Sequence, residues 1–237
     1  MDQVALVTGA DRGLGLALTQ SLLDSGWIVI AGQYLDWPEL GALAERFPES
    51  LHMVPLDISS DESVRDAAQK IEQAVDHIDV LIANAGILSA TNTLTIRESP
   101  SYGEMIREFN VNAVGALRVV EAFLPLLDRG NWKRLCFLSS EAGSIAASTR
   151  NAWFGYCMSK AALNMAVKNL SNDLTPAGFS FRLYYPGWMR TYMHGPKNLD
   201  AHLEPEEGAT FALKYFLSQE DPPDLRLHSW DGTDMPW

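Results

Sequence analysis

The sequence predicts one α/β domain in which a parallel sheet is covered by helices on both faces. Short apolar runs alternate with helical stretches along the chain, without a linker, repeat or low-complexity tract. The runs are apolar throughout rather than at every second residue, as in strands that are buried on both faces. The length of 237 residues and the 47% hydrophobic content suit a single domain with a large core, spanning residues 1–237.

The predicted elements follow one another in strict strand–helix order. Seven apolar runs are expected as strands, namely Val4–Val7, Trp27–Ala31, Leu51–Leu56, Ile78–Ala83, Arg134–Leu138, Phe179–Tyr185 and Leu225–His228. Helices are expected from the first strand to about residue 25 and over residues 60–75, 102–127, 153–174 and 204–217. This order indicates a doubly wound, Rossmann-type domain with a mostly parallel seven-stranded sheet, in which ligands bind beyond the carboxyl ends of the strands.

Charge and composition exclude several classes of partner. With 18 basic and 30 acidic residues, the net charge is −12, so we expect no nucleic acid and no anionic membrane as partners. We expect no bilayer-spanning run and no secretory signal, which makes a cytoplasmic location the default. The only cysteines, Cys136 and Cys157, are expected as buried, reduced thiols. The five histidines show no ligand spacing, so no metal site is expected.

A glycine-rich turn follows the first strand. Gly9, Gly13 and Gly15 in TGADRGLG have the spacing GxxxGxG. Such glycines allow a tight turn whose backbone amides approach a pyrophosphate at the N-terminus of the next helix. Glycine-rich turns follow many strands, but the position between the first strand and the first helix favours a dinucleotide site.

Two further turns lie at the same predicted edge of the sheet. Asp57 and Ile58 follow the third strand. Asp57 is equally consistent with a hydrogen bond to an adenine amino group and with an acid at the start of a helix. The sequence Asn84–Gly86 follows the fourth strand as NAG. This is a common turn pattern, but here it lies next to the glycine loop.

A candidate acid–base pair lies in the helix after the fifth strand. Tyr156 and Lys160 are four residues apart and share one helix face. A lysine ammonium beside a phenol is expected to lower the tyrosine pKa, which suits proton donation to a carbonyl. At the end of the fifth strand, Ser139-Ser140 offers a hydroxyl for the carbonyl oxygen. Asn112 inside the preceding helix indicates a kink or a polar task. A YxxxK pattern alone is more often an exposed helix pair.

Together these segments resemble the short-chain dehydrogenases/reductases of the compact kind. The resemblance covers TGADRGLG, Asp57, NAG, NVNAVG, LSS, YCMSK and PGWMRT in the family's order. It implies that Tyr156 is the acid or base, that Lys160 holds the nicotinamide ribose, that Ser140 positions the carbonyl and that Asn112 carries a water in the proton relay. The implied cofactor-binding residues are Gly9, Asp11, Arg12, Gly13, Leu14, Gly15, Gln33, Asp57, Ile58, Asn84, Ala85, Gly86, Tyr156, Lys160, Pro186, Gly187, Met189 and Thr191.

The segment between the serine and the tyrosine is longer than usual in the family. Its 15 residues, EAGSIAASTRNAWFG, together with PGWMRT and the terminal DGTDMPW, resemble the sniffer-like carbonyl reductases. A substrate pocket is expected at Ile87–Leu88, at residues 144–155 and after Pro186, which favours a small apolar or aromatic carbonyl or alcohol. The expected wall residues are Ile145, Trp153, Phe154, Trp188, Met189, Tyr192 and Met193, about half of which are expected in the core or in a dimer contact. Arg150 and Arg190 are expected mainly at the surface.

The end of the second strand bears on the choice of cofactor. By the family's spacing the position of the ribose-binding acid holds Gln33, which is neutral and would not repel a 2′-phosphate. Arg12 is expected to pair with that phosphate. Tyr34 stands where arginine is common in NADP-binding relatives, and Asp36 is close enough to act as the acid. NADP(H) is therefore favoured and NAD(H) remains possible.

The favoured function is a carbonyl reductase or alcohol dehydrogenase. A binding or signalling protein without turnover is the alternative, although the set of Ser140, Asn112, Tyr156 and Lys160 argues against it. A dehydratase or epimerase usually has a longer segment after the tyrosine helix. By resemblance, the helices at 102–127 and 153–174 are expected to pair with their copies in a homodimer or homotetramer.

Overall fold

The computed structural model describes residues 2–193, 195–220, 222 and 224–237. Its strands are β1 (Val4–Thr8), β2 (Ile28–Gln33), β3 (Leu51–Pro55), β4 (Val80–Ala83), β5 (Arg134–Leu138), β6 (Ser180–Tyr185), β7 (Leu227–Ser229) and β8 (Asp234–Met235). Its helices are α1 (Gly13–Asp24), α2 (Pro38–Arg46), α3 (Asp61–Ile71), α4 (Tyr102–Phe109), α5 (Ala116–Asp128), α6 (Phe154–Leu174) and α7 (Pro205–Phe216), with a π-helical segment at Asn110–Gly115 between α4 and α5.

All strands that the structure describes belong to one sheet in the order β3-β2-β1-β4-β5-β6-β7-β8. Every neighbouring pair is parallel except β7 and β8. The predicted α/β fold is therefore confirmed, with one strand more than expected because the two residues of β8 return antiparallel to β7. Helix α2 was not predicted, since its nine residues include a glycine and show too short an apolar pattern.

Apolar strand residues face both ways and form two separate cores. In β1, Val4 and Leu6 pack into the core on one face, whereas Ala5 and Val7 pack into the core on the other. The first core is closed by α3, α5 and α6, and the second by α1, α2 and α7. Burial on both faces explains why the sequence of β1 is apolar throughout.

The helical stretch Tyr102–Asp128 is continuous, and by length and composition it is apolar enough to cross a membrane. No run long enough to span a bilayer was expected from the sequence. Half of its most apolar window is buried inside the protein. Val119, Phe123 and Leu127 lie in the core on one face of the sheet. Packing against the sheet accounts for much of the apolar character of this helix.

Candidate active site

A cavity of about 640 Å³ lies at the carboxyl ends of the parallel strands. Its volume is in the range of small-molecule and cofactor sites. The segments after β1 to β6 all contribute to its wall, where ligands of doubly wound sheets bind. The predicted site residues that line it are Gly9, Asp11, Arg12, Gly13, Leu14, Gly15, Asp57, Ile58, Asn84, Ala85, Gly86, Ser140, Tyr156, Lys160, Pro186, Gly187, Met189 and Thr191.

The glycine loop between β1 and α1 fits a pyrophosphate because it has no room for side chains. Gly13 adopts a φ of +56°, and a Cβ on Gly15 would lie 2.0 Å from the carbonyl oxygen of Gly9. The Asn84 side-chain amide donates to the carbonyl oxygens of Thr8 and Gly9, at 2.9 and 3.1 Å. No side chain caps the N-terminus of α1, so backbone amides at that end are available to an anion.

The end of β2 differs from the expectation. Gln33 does not line the cavity, because its side-chain amide turns away to donate to the carbonyl oxygen of Leu35 at 3.0 Å. Tyr34 and Leu35 line the cavity instead. Asp36, the alternative acid, is exposed and is not part of the lining.

Arg12 lies against two aromatic rings at the edge of the cavity. The guanidinium carbon is 5.2 Å from the ring centroid of Trp37 and 5.9 Å from that of Tyr192. The two rings also contact each other, with their centroids 5.3 Å apart. Cation–π attraction therefore holds the Arg12 side chain beside the cavity.

Asp57 lies in the turn before α3, and its hydrogen bond to an adenine amino group stays a prediction. One carboxylate oxygen accepts hydrogen bonds from the backbone amide and hydroxyl of Ser59, at 2.8 and 2.7 Å. Ser60, rather than Asp57, caps α3. Asp57 thus closes the turn before α3 while it also lines the cavity.

Tyr156 and Lys160 are buried in the first turns of α6. The Lys160 ammonium donates to the carbonyl oxygen of Leu138 at 2.8 Å and lies 5.8 Å from the ring centroid of Tyr156. Burial lowers the pKa of Lys160 to about 8. Burial also raises the pKa of Tyr156, although a hydrogen bond with Ser140 opposes this effect. The prediction of a lowered tyrosine pKa was wrong for the protein alone, since desolvation of the phenolate outweighs the favourable interactions.

Of the two serines after β5, Ser140 is the one that acts on the pKa of Tyr156. Its hydroxyl donates to a carboxylate oxygen of Glu141 at 2.7 Å and accepts from the backbone amide of Ala142 at 3.1 Å. The Ser139 hydroxyl instead donates to the buried side chain of Asn164 at 2.6 Å. The role of Ser140 toward a carbonyl substrate stays a prediction.

Asn112 lies in the π-helical segment, so the helix is irregular at this residue as expected. The Asn112 side chain also makes buried hydrogen bonds. Its side-chain oxygen accepts from the backbone amide of Ile87 at 2.8 Å. Its amide donates to the carbonyl oxygen of Ile87 and to the hydroxyl of Ser159, at 2.9 and 3.0 Å. Asn112 is buried and does not line the cavity. It joins the segment after β4 to α6, and its role in a water relay stays a prediction.

The predicted substrate wall is partly assembled. Trp153, Trp188, Met189, Tyr192 and Met193 line the cavity, together with Ile87 and Leu88. The other expected wall residues, Ile145 and Phe154, do not line it; Ile145 is 79% exposed and Phe154 borders a separate small cavity.

The sequence interpretation missed several polar residues of the wall. Glu141, Tyr185 and Arg107 line the cavity, and so does Arg150, which was expected mainly at the surface. Arg190 does not line it and pairs with Glu204 at 2.9 Å. A carboxylate directly after Ser140 was the available signal, but nothing in the spacing indicates that Glu141 pairs with Ser140 and Arg150.

Metal-ligating side chains do not cluster in the part of the chain that the structure describes. Four of the five histidines are described, and none of them belongs to a cluster of metal-ligating side chains, namely His52, His77, His202 and His228; His194 is outside the described residues. Cys136 and Cys157 are both free thiols; Cys136 is buried, whereas Cys157, which was also expected to be buried, is only partly so.

A family model for the short chain dehydrogenases matches residues 3–202. The chain belongs to the short-chain dehydrogenase family. It is therefore an NAD(P)-dependent oxidoreductase, as the resemblance implied. Among curated relatives, the C-signal protein of Myxococcus xanthus is 40% identical over 160 residues, which are 68% of this chain and 93% of that protein.

Two solved carbonyl reductases have the same fold over essentially their full length. The NADPH-bound carbonyl reductase from chicken fatty liver is 29% identical, with a TM-score of 0.88 and coverage of 100% of this chain and 99% of that one. The carbonyl reductase Sniffer of Drosophila melanogaster is 26% identical, with a TM-score of 0.88 and full coverage of both chains. The expected similarity to sniffer-like carbonyl reductases is thus confirmed.

Proposed function

We propose that this enzyme catalyses the NADP(H)-dependent interconversion of a carbonyl compound and its alcohol, with Tyr156 as the general acid and base. The observation that carries the proposal is the convergence of Tyr156, Ser140 and Lys160 on the cavity that also contains the glycine loop. These are the groups required to move one proton beside a dinucleotide.

The residues of the cavity fit a nicotinamide dinucleotide. The loop from Gly9 to Gly15 would hold the pyrophosphate through backbone amides, and Lys160 would hold the nicotinamide ribose. Thr191 and the backbone at Met189 would hold the carboxamide. When bound, the dinucleotide supplies or accepts the hydride at the carbonyl carbon.

NADP(H) is the favoured form of the cofactor. Arg12 is a cation at the cavity, and no acid among residues 33–36 lines it to repel a 2′-phosphate. The acid beside the end of β2, Asp11, is buried and accepts a hydrogen bond from the backbone amide of Tyr34 at 3.2 Å. Gln33 is neutral but turned aside, so Arg12 carries more of this argument than Gln33 does. The similar carbonyl reductase from chicken binds NADPH.

The proton is held at the hydroxyl oxygen of Tyr156. The phenol is protonated at neutral pH, because its pKa is ordinarily about 10 and burial raises it further, so it carries the proton that a carbonyl oxygen receives. In the reverse direction the same oxygen accepts the proton of the alcohol. Lys160 stabilises the phenolate left after donation, and Ser140 positions the substrate oxygen.

The substrate class follows from the apolar part of the cavity wall near Tyr156. Trp153, Trp188 and Met193 offer apolar and aromatic surface. A small apolar or aromatic carbonyl compound matches this surface, because burial of its apolar atoms contributes most of the binding free energy.

An exposed apolar face supports assembly into a homodimer or homotetramer. Tyr102, Ile106 and Phe109 on α4 and Met165 on α6 are all exposed. Exposed apolar groups of this size favour a subunit contact. For the single domain, a cytoplasmic location without a nucleic-acid or membrane partner agrees with the net charge of −12.

A panel of apolar and aromatic aldehydes and ketones tests the function. The loss of reduced-cofactor absorbance is followed with NADPH and with NADH. We expect carbonyl-dependent oxidation of NADPH, with a higher kcat/KM than for NADH. Absence of turnover with every carbonyl and alcohol tested, despite tight NADPH binding, would favour the binding or signalling alternative.

A further inference from the structure

Glu141 connects the proposed acid–base group to the wall of the substrate cavity. Its carboxylate accepts the hydroxyl hydrogen of Ser140 at 2.7 Å, and Ser140 lies close enough to Tyr156 to act on the pKa of the phenol. The other carboxylate oxygen pairs with the guanidinium of Arg150. A continuous chain of polar contacts therefore runs from the phenol of Tyr156 to Arg150.

The carboxylate is held in place by Ser140 and Arg150. Tyr185 on β6 lies near it, since the charge of Glu141 helps to raise the pKa of Tyr185. Arg150 is itself positioned over the ring of Trp153, 5.0 Å from its centroid. About 30% of each side chain of the Glu141–Arg150 pair is exposed, so the pair borders the cavity without being sealed from water.

The hydrogen bond to Glu141 decides what Ser140 can offer to a substrate. A serine hydroxyl has one hydrogen, and Ser140 directs it to the carboxylate. The oxygen of Ser140 remains an acceptor, already approached by the backbone amide of Ala142. In this arrangement the hydrogen for a carbonyl oxygen must come from Tyr156.

We propose that Glu141 is a positioning residue that fixes the Ser140 hydroxyl and maintains a negative charge beside Tyr156, which favours the protonated phenol and therefore carbonyl reduction over alcohol oxidation. This inference rests on the proposed function. A nearby negative charge disfavours ionisation of the phenol, whereas Ser140 favours it. The structure agrees, because burial, and after it the charge of Glu141, raise the pKa of Tyr156.

The other charged and titratable groups around Tyr156 do not replace Glu141. Tyr185 and Cys157 are neutral near neutral pH, since burial raises the pKa of each, that of Tyr185 to about 12. The Lys160 ammonium lies 5.8 Å from the ring centroid of Tyr156 and donates to the carbonyl oxygen of Leu138, and its positive charge acts in the direction opposite to that of Glu141. Arg150 lies on the far side of Glu141 and partly offsets its charge.

The substitution Glu141→Gln tests this inference because it keeps an acceptor for Ser140 and removes the charge. Reduction requires the protonated phenol and is lost as the pH rises through the pKa of Tyr156. We therefore expect the basic limb of the reduction profile to move down by about one pH unit in Glu141→Gln. Glu141→Asp should retain the wild-type midpoint, and Arg150→Met should move it in the opposite direction.

Glu72→Gln is the matched control, since Glu72 also pairs with an arginine, Arg129 at 3.4 Å, but lies outside the cavity lining. The ultraviolet absorbance of the Tyr156 phenolate, measured as the difference from Tyr156→Phe, gives the same midpoint without any substrate. A folded Glu141→Gln protein whose midpoint equals that of wild type and of Glu72→Gln overturns the inference. Failure of wild type to reduce any carbonyl concerns the proposed function instead, and the absorbance titration still decides the role of Glu141.

Discussion

Replacement of Gly15 by alanine tests the interpretation of the glycine loop as a closely packed dinucleotide cradle. The new Cβ would lie 2.0 Å from the carbonyl oxygen of Gly9 and 2.6 Å from the side-chain nitrogen of Asn84. Since real Cβ atoms essentially never approach closer than 3.0 Å, the backbone must shift by about 1 Å. Overpacking of this kind costs about 1–3 kcal/mol.

For a domain of this length, that cost lowers the melting temperature by roughly 2–12 °C, at about 2–4 °C per kcal/mol. The same shift displaces the amides at the start of α1, so NADPH affinity should fall by at least about 10-fold. Differential scanning calorimetry and a fluorescence titration with NADPH measure the two effects.

Gly41→Ala in α2 is the matched control, because a Cβ there meets no atom within 4 Å. It should be neutral or stabilising by up to about 1 kcal/mol, as expected for glycine to alanine in a helix. If Gly15→Ala matches Gly41→Ala in melting temperature and binds NADPH like wild type, the close-packed cradle is refuted.

Three further predictions concern the cofactor, the irregular helix and the subunit contact. Arg12→Ala should reduce the preference for NADPH over NADH in kcat/KM, whereas Arg46→Ala, which removes another arginine stacked on an aromatic ring, should not; an unchanged preference in Arg12→Ala contradicts the phosphate site. Asn112→Ala removes the buried contacts to the segment after β4 and should destabilise the protein by about 1–3 kcal/mol in urea unfolding, while Asn169→Ala at an exposed position of α6 stays near wild type. Ile106→Glu should convert an oligomer into a monomer in light scattering, and a wild-type monomer at micromolar concentration would refute the proposed assembly.

The fold was predictable because its strands are buried on both faces. Val4–Val7 is apolar at every position, and both faces of β1 contribute to a core. The same logic fails for β8, which has two residues, and for α2, where Gly41 interrupts a short pattern. Weak periodicity in short elements leaves their formation to tertiary contacts.

The location of the site was also predictable, because parallel strands bring their carboxyl ends to one edge. Gly15, Asn84 and Tyr156 line one cavity although they are distant in sequence. The partner of each side chain was not predictable. Gln33 turns to the backbone of Leu35, and Glu141 takes the hydrogen of Ser140. These hydrogen-bond partners depend on side-chain geometry, which the spacing of residues in the sequence does not determine.

The direction of the Tyr156 pKa shift was also not predictable from the sequence. A lysine four residues from Tyr156 suggested a lowered pKa, but the sequence carries no measure of burial. In the folded protein Lys160 is buried and bonded to the carbonyl oxygen of Leu138, while the phenol loses its hydration. Desolvation therefore decides the direction of the shift.

The central claim is that Tyr156 supplies the proton in carbonyl reduction, and Tyr156→Phe tests it most directly. Phenylalanine keeps the ring in its packed position and removes only the transferable proton. We predict that kcat for the best carbonyl substrate falls by at least about 100-fold, with NADPH affinity within a few-fold of wild type. A folded Tyr156→Phe protein that turns over at a rate near that of wild type would contradict the mechanism.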